Sequence, residues 1–143
     1  MLAHASRDHV NDTGPKGVTG HNGSDGSSVS KRIERYGVWQ GTNGENISYG
    51  CKTGKEIVLQ LIIDDGVPSR GHRRNIFNSD YYYIGSACGN HKVYEAMCVM
   101  DFAGGMVTKD QAKKQENNKQ KIINHVKSLK PDVSKQPAGA QGY

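Results

Sequence analysis

At 143 residues the chain has room for one domain and a tail, but not for two full domains. Its formal charge of +5 suggests nucleic-acid binding only until it is divided by region. Residues 1–107 carry 11 Lys+Arg and 11 Asp+Glu, a net of zero, so the folded part has no bias toward phosphate and no nucleic acid is expected on it. The eight lysines of residues 108–143, set against Asp110, Glu116 and Asp132, hold the whole excess.

A hydrophobic content of 34% with 18 glycines predicts a loop-rich fold with a modest core. The longest apolar run, Ile57-Val58-Leu59-Gln60-Leu61-Ile62-Ile63, is far too short to span a bilayer, so no transmembrane segment is expected. No secretory signal is visible, because Met1-Leu2-Ala3-His4-Ala5 runs directly into Ser6-Arg7-Asp8-His9 with no apolar core.

In chain order, the residues up to about Asn11 read as a helix with Leu2, Ala5 and Val10 turned inward. It is stopped by Asn11-Asp12-Thr13-Gly14-Pro15. Gly20-His21-Asn22-Gly23-Ser24-Asp25-Gly26 is a loop. Ser28 can cap a short helix on which Val29, Ile33 and Tyr36 share a face, and Gly37 ends it. Val38 to Gly44 reads as loop with Trp39 as an apolar plug, and Glu45 to Tyr49 as a short extended segment. Thr53-Gly54-Lys55-Glu56 has capping-box spacing and opens a helix from about Gly54 to Asp65, halted by Gly66-Val67-Pro68. Arg70 to Asn78 suits a short helix carrying Ile76 and Phe77 inward.

Two strands fit Tyr82–Cys88 and Val93–Phe102, joined across Gly89-Asn90-His91-Lys92. On that hairpin Cys88 and Cys98 either form a disulfide or remain two buried thiols, and Cys51 is left over in both cases. A pairing would lean toward an oxidising compartment. Ile122, Ile123, Val126 and Leu129 have helical spacing within 111–130, and Pro131 onward reads as disorder. The lysine-rich helix can pack on the domain, bind an acidic surface, or stay solvated.

Phosphate loops, dinucleotide fingerprints, Cys-rich zinc sites and Gly-x-Ser-x-Gly elbows are all missing from the sequence. Instead, His21, Glu45 and His72 each follow a glycine, and Glu56 opens a helix. Imidazole and carboxylate can share protons or hold a divalent cation. Each also has an ordinary account: Glu56 as a cap, His72 as the start of a short helix, His21 as an exposed loop residue.

The segments Gly20–Gly26, Gly44-Glu45-Asn46-Ile47, Gly54-Lys55-Glu56-Ile57-Val58 and Ser69-Arg70-Gly71-His72-Arg73-Arg74-Asn75-Ile76-Phe77 are the distinctive ones. With the strand pair Gly85–Gly89 and Met97–Gly104, they make residues 20–105 resemble the CAP superfamily. Other names for it are the SCP-like domain, and the cysteine-rich secretory, antigen 5 and pathogenesis-related 1 domain. The likeness is greatest to its bacterial and protist branch.

The resemblance implies an α+β fold, a three-layer α-β-α sandwich with a small central antiparallel sheet over residues 1–107. The tail, 108–143, lies outside it. The family's first helix normally begins earlier, so the resemblance implies either a chain truncated at its N-terminus or an unusual intracellular member, and Leu61 stands where the family often carries Trp. The resemblance also implies a cleft holding His21, Glu45, Glu56 and His72. In it the histidines would ligate Zn or another divalent cation, and Glu45 and Glu56 would orient the imidazoles or hold a water or cation. Arg73 and Arg74 are expected nearby, with one reaching Asp64, Asp65 or the tail, and Asn46 and Asn75 are expected to fix loops. The implied function is a secreted, non-enzymatic binding domain for a small lipid or sterol-like ligand or a protein partner. The alternative is a metal-dependent hydrolase, peptidase-like or acting on cell walls, with glutamate as base.

Overall fold

The computed structural model describes residues 1–129. The chain divides into two compact units, Met1–Lys109 and a second beginning at Asp110. The first unit contains α1 (Leu2–Thr13), α2 (Val29–Glu34), β1 (Val38–Tyr49), α3 (Gly54–Ile63), α4 (Gly71–Ile76), β2 (Tyr83–His91) and β3 (Glu95–Val107). The helix α5 (Lys109–Ser128) follows, and none of its residues is buried. The disorder expected from Pro131 onward lies outside the described residues.

The three strands form an antiparallel sheet in the order β1-β3-β2, so β3 is central and covered on both faces. Its residues alternate accordingly. Met97 and Val99 join Val10, Ile47 and Ala87 beneath α1, and Ala103 joins Leu2, Ala5 and Ile33. Cys98, between them, belongs to the opposite layer with Ile57 and Leu61 of α3. Two helical layers thus sandwich one sheet, as the resemblance implies. Leu61 is only 1% exposed and fills its place without a ring. Burying such a side chain is worth about 1.5–3 kcal/mol.

Local signals set several boundaries. Ser28 accepts a bond from the Lys31 backbone to start α2. Thr53 and Glu56 form a reciprocal capping box at α3. That helix ends two residues earlier than expected, at Ile63, because Asp64 takes a left-handed conformation with φ 53°. Arg70 and Arg73 point to the open carbonyls there: Arg70 Nη1 donates to Ile63 O at 3.0 Å, and Arg73 Nη2 donates to the same oxygen at 2.6 Å. Neither guanidinium pairs with an Asp64 or Asp65 carboxylate; both cap the helix end, where carbonyls attract cations.

Three expectations are corrected. Val38–Gly44 is strand, not loop: Val38 pairs with Val107 and Trp39 with Met106, and a bulge between Gln40 and Asn43 hides the alternation that would have revealed it. The hairpin turn lies later than Gly89–Lys92, since β2 runs to His91 opposite Glu95. Phe77, expected inward, is 69% exposed because α4 ends at Ile76. Trp39 does pack against the Leu2–Ile33 cluster. Cys88 and Cys98 face each other in register and form a disulfide, with Cys51 free.

A histidine cleft at the sheet edge

The edge strand β1 sends alternate side chains to opposite layers. Glu45 turns toward α1 and α2, while Asn46 turns toward α3 and α4. Asn46 Nδ2 donates to His72 O at 2.9 Å, and Asn75 Nδ2 donates to Asn46 Oδ1 at 2.8 Å, which ties α4 to the strand. The loop after α1 is held from the other side. His9 Nε2 donates to Gly20 O at 2.8 Å, and Arg32 Nη1 donates to His21 O at 2.9 Å. Gly20 N donates to the Tyr49 hydroxyl at 3.1 Å. These ties bring His21 and His72 to one cleft of about 430 Å3, whose lining includes both histidines, Glu45, Arg74 and Asn75.

Each imidazole is fixed by a buried carboxylate. His21 Nδ1 lies 2.8 Å from Glu45 Oε1, and His72 Nδ1 lies 2.7 Å from Asp64 Oδ1. A carboxylate can only accept, so Nδ1 carries the hydrogen in both rings and, in the neutral form, Nε2 keeps its lone pair. Among the described residues neither Nε2 makes a hydrogen bond. Glu45 and Asp64 are 6% and 3% exposed, whereas the side chains of His21 and His72 are 55% and 30% exposed. The acids therefore lie behind the rings.

Neither acid has an oxygen to spare. Glu45 Oε2 is 2.5 Å from Arg32 Nη2, and that arginine is itself 1% exposed. Asp64 Oδ2 accepts from the backbone N–H of His72 at 3.0 Å and of Arg73 at 3.2 Å. Burial pushes the Glu45 carboxyl up, but the bond from His21 and the charge of Arg32 outweigh it and hold it below the usual range. Burial acts on Asp64 likewise and is outweighed by the bond from His72 and the N–H of Arg73. Both are anionic at neutral pH.

The residues expected in the cleft are thus only partly brought together. His21, Glu45 and His72 meet there. Glu56 does not: its Oε2 accepts from the N–H groups of Lys52 at 3.2 Å and Thr53 at 3.0 Å, at the exposed start of α3. Asp64 takes the orienting place behind His72. The sequence pattern places Asp64 only near the end of the helix, as a partner for Arg73 or Arg74.

A buried polar group under the cleft was also not foreseen. Asp101 of β3 pairs directly with Glu45 of β1 and accepts from Ser6 Oγ at 2.8 Å. Burial and the facing Glu45 charge push its carboxyl up to about 8, so it is neutral at pH 7. Arg32 and Glu45 then balance each other in the core. Burial, followed by the charge of Arg32, lowers His9, which keeps that ring neutral. The available signal was an acid within the apolar stretch Val99-Met100-Asp101-Phe102-Ala103.

As a metal site the donor set is sparse. Among the described residues no group of three or more His, Cys, Asp and Glu side chains is arranged to hold an ion. Two imidazoles backed by carboxylates fit an open cation site completed by water or a ligand, and do not fit a closed structural zinc site.

A second, more apolar pocket of about 280 Å3 adjoins the cleft and shares Val67 and His72 with it. Ile47, Leu61 and Ile63 supply its apolar lining.

A small antiparallel sheet between two helical layers is an α-β-α sandwich, the fold class to which this chain's structural relatives point. The family model of the cysteine-rich secretory protein family, CAP, matches residues 1–102, and the chain belongs to that family. Among solved structures it is similar to an outer surface protein from Borrelia burgdorferi, with 19% identity, TM-score 0.59 and 71% of each chain covered. It is also similar to an extracellular protein containing a SCP domain from Bacillus anthracis str. Ames, with 23% identity and TM-score 0.56 over 71% of this chain and 31% of that one. At these identities the likeness concerns the fold. No curated protein matches the chain in sequence.

Proposed function

We propose that this chain is a secreted, non-enzymatic binding domain that takes a small lipid- or sterol-like ligand at the histidine cleft, with His21 and His72 holding zinc or another divalent cation. The observation that carries this reading is the position of His72. Its ring is oriented by Asp64 and forms wall for both the polar cleft and the apolar pocket. An amphipathic molecule can lay its apolar part beside Ile47 and Leu61 and turn its polar end toward the two imidazoles. A cation on two histidines keeps open positions, which an oxygen of that polar end can complete.

Binding is favoured over a hydrolase with glutamate as base, because such a glutamate needs a free oxygen beside the water it activates. Both Glu45 oxygens are engaged by His21 and Arg32, and Glu56 caps a helix outside the cleft. Secretion is supported by the family and by the extracellular description of one structural relative. No described helix is long and apolar enough to cross a membrane.

The test is calorimetric titration of the folded protein with zinc, beside His72→Ala. Saturable binding near one ion per chain, lost in the variant, is expected, together with zinc-dependent uptake of a fluorescent sterol or fatty-acid probe. No zinc binding by the folded wild type would overturn the cation part. No probe uptake in either state would turn the search to protein partners.

A further inference from the structure

A third cavity, of about 550 Å3, shares no lining residue with the histidine cleft. All three cysteines line it: Cys51 and both halves of the Cys88–Cys98 disulfide. The topology explains the meeting. Cys98 on central β3 pairs with Cys88 on one side and with Ser48 of β1 on the other. Beyond the strand, Gly50 adopts φ +84° and donates its N–H to Ala96 O at 2.9 Å, turning the chain back along β3. Glycine suits that conformation because it has no Cβ. The next residue, Cys51, thereby packs against the cluster of Ile57, Leu61 and Cys98.

The three sulfurs differ in access. Cys98 is 3% exposed, Cys51 is half-buried and Cys88 is exposed. A free thiol beside a disulfide, in a space open enough for one sulfur to approach another, is the arrangement that exchange requires.

We propose that Cys51 and the Cys88–Cys98 disulfide form a thiol–disulfide exchange centre, which moves the free thiol from the half-buried Cys51 to the exposed Cys88. The Cys51 thiolate attacks Cys98 Sγ, the Cys51–Cys98 bond forms, the Cys88–Cys98 bond breaks, and Cys88 leaves as a thiolate. Cys51 gives its proton to water before the attack, and Cys88 takes one from water after leaving. One disulfide is exchanged for another, so no oxidant or reductant is consumed. The cross-link then ties the segment after β1 to the centre of the sheet, and Cys88 presents a reactive sulfur at the surface.

The full chain is labelled with N-ethylmaleimide at pH 7 and pH 8.5, then reduced, and the remaining cysteines are labelled with a heavier reagent for peptide mass spectrometry. The expected result is first label on both Cys51 and Cys88, and on neither Cys88 nor Cys98 in Cys51→Ser. First label on Cys51 alone at both pH values would overturn the proposal, as would first label on all three. In Cys88→Ser, equilibrated in a glutathione redox buffer, a Cys51–Cys98 disulfide with no free thiol is expected. Two free thiols in that variant, folded by circular dichroism, would also overturn it.

Discussion

Replacing Asp64 by Asn separates the orientation of His72 from the folding of its loop. Asparagine tolerates the left-handed backbone at this position, so φ 53° need not change. One amide oxygen can still accept from the His72 and Arg73 N–H groups, which now lie 3.0 and 3.2 Å from Oδ2. The amide nitrogen must then face His72 Nδ1, where Oδ1 now lies at 2.7 Å.

An amide nitrogen only donates, so the ring has to move its hydrogen to Nε2 and lose the lone pair that faces the cleft. Exchanging three charge-assisted bonds for neutral ones should cost about 1–3 kcal/mol of stability. Loss of a carboxylate behind a metal-binding histidine weakens binding roughly 10- to 100-fold.

Urea unfolding measures the first effect, zinc calorimetry the second, and 15N spectroscopy of the His72 ring reports its tautomer directly. Asp64 is held below its ordinary value of 3.8, so its contribution is present above that pH and is lost as pH falls through the depressed value. The acid limb of the stability curve should therefore flatten in the variant. A folded Asp64→Asn protein with the wild-type His72 tautomer and unchanged zinc affinity would refute the assignment of Asp64.

Glu56→Ala should lower thermal stability by removing half of the capping box, while zinc affinity stays at the wild-type value; a large loss of zinc binding would return Glu56 to the cleft. Asp101 has a folded value raised from 3.8 to about 8, so the folded state holds its proton more tightly than the unfolded chain. Its stabilising effect is full below the unfolded value of 3.8 and lost as pH rises through about 8. Asp101→Asn should remove that decline, and denaturation midpoints measured across this range would show whether the slope disappears.

Elements whose information is local are legible in the amino-acid sequence alone. The Thr53–Glu56 capping box, the Ser28 cap and the apolar face of α1 can be read from spacing, because helix starts and helix faces depend on residues three or four apart, whereas the segments around Glu45 and His72 are legible only through the family resemblance. The motifs also named three of the cleft residues. The remaining features depend on contacts between distant segments. The strand character of Val38–Gly44 comes from pairing with the far end of β3, Phe102 to Val107, and a bulge hides its period. Glu56 and Asp64 lie at opposite ends of α3, and both are acids beside a helix end. Which one stands behind His72 is settled by the left-handed turn at Asp64 and by where α4 docks on Asn46. The burial of Asp101, Glu45 and Arg32 in one core follows the same rule. A charge is placed by what surrounds it in space, and cross-strand register across the sheet supplies those neighbours.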